Sequence, residues 1–175
     1  FSTIDTTKNE LVYTSQKKIK MLDGAGPRHL TFHPNKKWMY VLNELNNTVS
    51  LVKEKNKAYF IKASIATLPA GLTSDSKAAD IHMTKDGKFL YTSNRGAESI
   101  TIFKVNSENG SLTNIGYAPV LGKNPRNFSL SPNEEFLLVA NQDTNNIISF
   151  KRNVSSGALT FVDEIFAPTP VCILF

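Results

Sequence analysis

Short hydrophobic runs recur along the chain, separated by polar turns. Trp38-Met39-Tyr40-Val41-Leu42, Phe89-Leu90-Tyr91-Thr92-Ser93 and Phe136-Leu137-Leu138-Val139-Ala140 are rich in aromatic and β-branched residues and too brief for helices, so each predicts a strand. A shorter apolar alternation precedes them, as at Leu30 and Phe32 or Phe128 and Leu130. The intervening turns are His33-Pro34-Asn35-Lys36, Lys85-Asp86-Gly87 and Ser131-Pro132-Asn133-Glu134, where Pro presets φ and Asn, Asp and Gly tolerate positive φ. A third strand follows at Thr48–Val52, Ser99–Val105 and Asn146–Lys151. A fourth follows a Gly-containing hairpin, as in Glu108-Asn109-Gly110-Ser111-Leu112 and Ser155-Ser156-Gly157-Ala158-Leu159. No stretch sustains a helical period.

These elements form one repeated unit. Segments starting at Gly26, Lys77 and Asn124 align without gaps through their first halves, and a fourth starts at Thr169. Four short antiparallel strands per ~40–50 residues predict a blade of an all-β β-propeller. The divisions are 1–25 as outer strands of a preceding blade, 26–76, 77–123 and 124–168 as blades, and 169–175 as the first strand of a final one. Rings usually have ~4–8 blades. The expectation is therefore that the other half of the propeller, the N-terminal one, comes from a longer chain or, failing that, from a second copy.

Composition changes this picture little. The 41% hydrophobic and 20% charged content fits a globular chain. No apolar run reaches the ~18 residues of a membrane helix, and the first residues lack the basic start and apolar core of a signal peptide. A cytoplasmic location is expected, with a removed secretion signal left open because the chain does not begin with Met. The net charge of +5 is spread over lysines in turns rather than along a basic stripe with interleaved aromatics, which argues against a nucleic-acid partner. The single cysteine, Cys172, lies in an apolar run and reads as a small core residue.

Candidate chemistry emerges from comparing blades with one another. In an antiparallel blade, the start of strand one and the end of strand two share one end of the sheet. Because strand one is innermost, both border one mouth of the channel. The end of strand two is Asn43, Asn94 and Asn141, followed by Glu44, Arg95 and Gln142. The start of strand one is Arg28, Ala79 and Arg126, followed by His29, Asp80 and Asn127. The uniform asparagines read first as scaffold, with ligand contact as the alternative. The divergent charges read better as a binding surface than as scaffold, although an Arg28–Glu44 structural ion pair is the plainer alternative. Arginines suit carboxylate, phosphate or a developing oxyanion, and Glu44 beside them is positioned to activate a water. His29 is a candidate for acid–base or polar work, whereas His33 and His82 read as structural. No metal-ligand, phosphate-loop or serine-nucleophile motif is present, so no metal or cofactor is expected.

The motifs Gly24-Ala25-Gly26-Pro27-Arg28-His29, Leu42-Asn43-Glu44, Ala78-Ala79-Asp80-Ile81, Ser93-Asn94-Arg95-Gly96 and Asn124-Pro125-Arg126-Asn127-Phe128 resemble those of the seven-bladed lactonase family. That family includes bacterial 6-phosphogluconolactonases and fungal carboxy-muconate cyclases. The resemblance runs from about Leu22 to Phe175 and corresponds to the family's C-terminal half. It implies metal-independent hydrolysis of a small anionic lactone, 6-phosphogluconolactone, to 6-phosphogluconate. Arg28, Glu44 and Arg95 match the family's cleft residues: the arginines would bind substrate and oxyanion, and Glu44 would activate water. Arg126, His29, Asn43, Asn94 and Gln142 are the candidate substrate contacts. A further cleft histidine of the family lies on an earlier blade outside this chain. The alternatives are a lactone-forming cyclase or other sugar lactonase, a non-catalytic propeller of the YVTN-repeat type that binds protein or glycan, and a metal-dependent lactonase using Glu44 and the asparagines.

Overall fold

The computed structural model describes residues 2–72 and 75–175. The sequence-derived segments 1–25 and 26–76 therefore each include residues outside this set. Every regular element among the described residues is a strand. A hairpin of β1 (Ser2–Asp5) and β2 (Glu10–Tyr13) comes first. Three four-stranded antiparallel meanders follow. They are β3 (Pro27–Phe32), β4 (Trp38–Asn43), β5 (Thr48–Lys55) and β6 (Ala58–Ala66); β7 (Lys77–Met83), β8 (Phe89–Arg95), β9 (Ser99–Val105) and β10 (Leu112–Pro119); and β11 (Pro125–Leu130), β12 (Phe136–Asn141), β13 (Asn146–Arg152) and β14 (Leu159–Phe166). The sheets are arranged like propeller blades, and their first strands β3, β7 and β11 lie side by side.

The stacking explains why strand two reads as an unbroken hydrophobic run. All six residues of β4 are buried because both faces of its sheet are covered. Trp38, Tyr40 and Leu42 point one way, into a core shared with Ile81, Leu90 and Phe103 of the second sheet. Met39 and Val41 point the other way, onto Ile19 and Met21. The opposite face of the second sheet packs Phe89, Tyr91 and Ile100 against Phe128, Leu137 and Ile148 of the third. Position in the stack decides exposure. Leu30 is 52% exposed, whereas its counterparts Ile81 and Phe128, each covered by the preceding sheet, are 3% and 0% exposed.

One contact locks each blade to the next. Tyr40 donates its hydroxyl to the Gly110 carbonyl at 2.8 Å, and Tyr91 does the same to Gly157 at 2.8 Å. Burial pushes the Tyr91 hydroxyl up to about 12, so it remains a donor. Gly110 sits at φ +72°, and a Cβ there would lie 2.5 Å from the Trp38 ring; Gly157 sits at +77°, 2.6 Å from Phe89 in the same sense. Both hairpin glycines are thus required by backbone conformation and by close approach.

The tail differs from the sequence expectation. Residues 170–175 form no strand, and Cys172 is exposed rather than buried in a core. The physical reason is that an innermost strand pairs with strand two of its own blade, and no described strand stands beside this segment in that role. It still follows the third blade in register: the Ile173 amide donates to Asn127 Oδ1 at 2.7 Å, as the Phe128 amide does to Asp80 Oδ2 at 3.3 Å.

Tyr91→Phe should leave the buried Gly157 carbonyl without its donor and cost about 1–2 kcal/mol. The check is a lower urea midpoint with an unchanged slope.

Candidate active site

β-bulges position the charged residues. In β3, Pro27 opposes Asn43 and His29 opposes Leu42, leaving Arg28 as the extra residue. β11 repeats this at Arg126, between the Pro125–Asn141 and Asn127–Ala140 pairs. In β7 the register shifts between Ala78 and Ile81, across Ala79 and Asp80. An extra residue bends a strand and re-aims its side chain, and here it recurs at the same end of every innermost strand.

Glu44, directly after β4, ties two blades together through its backbone. Its amide donates to the Gly26 carbonyl at 2.8 Å, and its carbonyl accepts from the Ala78 amide at 3.2 Å. Its carboxylate then bridges two guanidiniums. Arg28 Nη1 lies 3.5 Å from Glu44 Oε2, and Arg95 Nη2 donates to Glu44 Oε1. Arg28 Nε is fixed on the Ala79 carbonyl at 2.8 Å, and Arg95 Nη2 also reaches the Ala78 carbonyl at 3.4 Å. The side chains are 22%, 24% and 16% exposed for Arg28, Glu44 and Arg95, so the cluster is largely shielded from solvent. Partial burial pushes the Glu44 carboxyl up, but the hydrogen bond and charge of Arg95, then the charges of Arg28 and Lys77, outweigh it and hold the group below its ordinary value.

Beside this cluster lies a second one centred on Asp80, whose side chain is 5% exposed. Asp80 Oδ1 receives His29 Nδ1 at 2.7 Å and the Ile81 amide at 2.9 Å. Asp80 Oδ2 receives His82 Nε2 at 3.1 Å, Asn127 Nδ2 at 2.6 Å and the Phe128 amide. Burial pushes the Asp80 carboxyl up, but the hydrogen bond and charge of His82 and the hydrogen bonds of His29 and Ile81 pull it below its ordinary value. His29, Asp80 and Asn127 occupy the same repeat position, so Asp80 joins the innermost strands of all three blades.

With this geometry the chain can be compared with known proteins. The family model described as "Lactonase, 7-bladed beta-propeller" matches residues 2–175. The chain belongs to the seven-bladed β-propeller lactonase family. A 6-phosphogluconolactonase of Formosa agariphila is 46% identical over 123 residues, which are 66% of this chain and 33% of that protein. The 6-phosphogluconolactonase of Bacillus subtilis is 36% identical over 125 residues, 70% of this chain and 36% of the relative. The periplasmic gluconolactonase of Pseudomonas aeruginosa superposes with a TM-score of 0.88 at 28% identity, covering 94% of this chain and 46% of the other. The alignments thus take in about a third of the curated relatives' length and under half of that solved chain.

Within this member of the family, the residues expected at the mouth separate into three groups. Arg28, Glu44 and Arg95 converge on one point. Arg126 occupies the bulge equivalent to Arg28, is half-buried, and its side chain has no hydrogen-bond or ion-pair partner among the described residues. Gln142 takes the Glu44 position, with its backbone N–H donating to the Asn124 carbonyl at 3.0 Å and a buried, unpartnered Oε1. Asn43 and Asn94 do not join the mouth. They are 1% and 0% exposed, and their Nδ2 groups donate inside the sheets, Asn43 to Thr48 and Ser50 at 2.9 Å and Asn94 to Thr101 at 2.9 Å. The last residue of strand two faces between blades, which explains the repeated asparagine and favours its scaffold reading. His33 packs on Trp38 with ring centroids 4.7 Å apart, and His82 packs edge-on against Phe128. Asp80, which the sequence places at the mouth without a role, is the hub of the second cluster. Its signal was the change from His to Asp to Asn at one repeat position.

Glu44 was expected to activate water. A carboxylate held low by two guanidiniums is a weak base, and the geometry fits it better as the group that aims both arginines. Because its folded-state value is depressed, Glu44 adds stability above its ordinary value of 4.5 and loses that contribution as pH falls through the lower folded value. Glu44→Gln should therefore be less stable than wild type at neutral pH, and the gap should close below about pH 4.5. Denaturation midpoints measured across pH check this.

Proposed function

We propose that the propeller containing this chain is a lactonase that hydrolyses a phosphorylated sugar lactone, 6-phosphogluconolactone, to 6-phosphogluconate. The observation that carries this reading is the convergence of Arg28 and Arg95, from two adjacent blades, on the single carboxylate of Glu44. Two guanidiniums against one carboxylate leave net positive charge beside the channel, and Arg126 adds more from the next blade. That balance suits a substrate carrying a phosphate and developing a carboxylate.

In this reading Arg28 and Arg95 polarise the lactone carbonyl and stabilise the oxyanion that forms when water attacks. They do so at little reorganisation cost, because Glu44 and the carbonyls of Ala78 and Ala79 already hold them. Positive charge comes from side chains, so the reading requires no metal. Arg126, whose guanidinium has no carboxylate partner among the described residues, takes the phosphate, and Gln142 offers a neutral polar contact beside it. The reading places the enzyme in the cytoplasm. The same centre run backwards would close a lactone, and substrate charge separates this reading from a lactonase acting on neutral sugars.

With the complete propeller and 6-phosphogluconolactone as substrate, Arg95→Ala should lower kcat about 100-fold or more. Arg126→Ala should raise KM about 10-fold or more with kcat little changed, since it removes binding common to ground and transition states. A wild-type protein with no rate above spontaneous hydrolysis would overturn the lactonase reading. An Arg126→Ala effect confined to kcat would overturn the phosphate role.

A further inference from the structure

The Asp80 cluster leaves one imidazole nitrogen with a defined chemistry. Asp80 is buried and ionised at neutral pH, and an ionised carboxylate only accepts hydrogen bonds. Each of its five partners must therefore donate. His29 then carries a proton on Nδ1, so that in the neutral ring the free lone pair is on Nε2. His29 Nε2 has no partner among the described residues, and the side chain is 44% exposed. His29 also follows Arg28 directly, so the His29–Asp80 pair runs beside the Arg28–Ala79 contact on the same two innermost strands. By the same logic His82 donates from Nε2, but its ring is packed on Phe128 two residues further along β7.

We infer that His29, oriented by Asp80, is the proton carrier of this site, and that Asp80 is its positioning residue. This rests on the lactonase reading and deepens it. Water attacks the lactone carbonyl carbon as His29 Nε2 takes its proton, and the carbonyl electron pair moves onto the oxygen beside Arg28 and Arg95. Collapse of that intermediate breaks the bond from the carbonyl carbon to the ring oxygen, which leaves with the proton returned from His29 Nε2. One water is consumed, a hydroxyl and a carboxylic acid are formed, and the acid then loses its proton to solvent. Asp80 stabilises the transient imidazolium and prevents the ring from presenting Nδ1 instead. The charged and titratable groups around His29 are Asp80 on β7, with His82 on its other oxygen, and the Arg28, Glu44 and Arg95 cluster. Among the described residues these divide the labour: Glu44 is committed to the arginines, and His29 is the oriented group with a nitrogen left to move the proton.

The test uses the complete propeller with 6-phosphogluconolactone. His29→Ala should lose about 100-fold or more in kcat with KM changed little, and free imidazole should restore part of the loss. The restored rate should rise with the neutral fraction of the added imidazole. In wild type, kcat should fall toward acid as the base protonates, and this limb should be missing from unrescued His29→Ala. Asp80→Asn, if folded, should lower kcat selectively, because its amide can turn a donor toward His29. Should that variant not fold, His29→Ala and its rescue decide alone. An active wild type whose His29→Ala variant keeps its kcat and acidic limb overturns the inference and leaves the lactonase reading standing. So does a loss that imidazole does not restore. A wild type inert on a panel of anionic and neutral lactones overturns both.

Discussion

The bulge near the start of each innermost strand is the constraint on which the site depends. A regular strand would alternate Arg28 and His29 between opposite faces of the sheet. The extra residue breaks that alternation, so that Arg28 reaches Glu44 and the Ala79 carbonyl while His29 beside it reaches Asp80. Because the bulge recurs in all three sheets, each blade presents a pair of side chains at the same end, and their identity varies without disturbing the stack. The scaffold is carried elsewhere, by the buried strand-two cores, the Tyr–Gly locks and the internal asparagines.

Charge at this mouth is organised by pairing across blade boundaries. Glu44 belongs to the first blade and Arg95 to the second; His29, Asp80 and Asn127 belong to three successive blades. Bringing a carboxylate out of water is costly unless its oxygens are satisfied, and Asp80 meets that condition with five donors. The consequence is that the site is rigid only when the blades are stacked. A side chain at one blade's mouth is held by its neighbour, so blade packing and site geometry are a single problem. Arg126 stands out against this background, since the blade that bears it offers Gln142 where a carboxylate would otherwise neutralise it.

Much of the fold was legible because its signals are local and repeated. Aromatic and β-branched runs, turn residues and hairpin glycines recur at matched positions, and the blade-to-blade comparison placed Arg28, Glu44 and Arg95 together. The bulges were not legible, because one extra residue in a six-residue strand leaves no mark on hydrophobic periodicity. The role of Asn43 and Asn94 stayed open for a related reason: the same spacing serves a residue facing the mouth or one facing between blades. The hub role of Asp80 required knowing which strands are neighbours in space. Cys172 misled because an apolar run marks a strand only where a partner strand exists to bury it.

The most direct measurement is the structure of the complete propeller with 6-phosphogluconate bound. The expected result is a product carboxylate within hydrogen-bond distance of both Arg28 and Arg95, near His29 Nε2, with the phosphate on Arg126. Product bound outside this mouth, or bound with its phosphate between Arg28 and Arg95 and its carboxylate pointing away, would contradict the assignment of this cluster as the reaction centre.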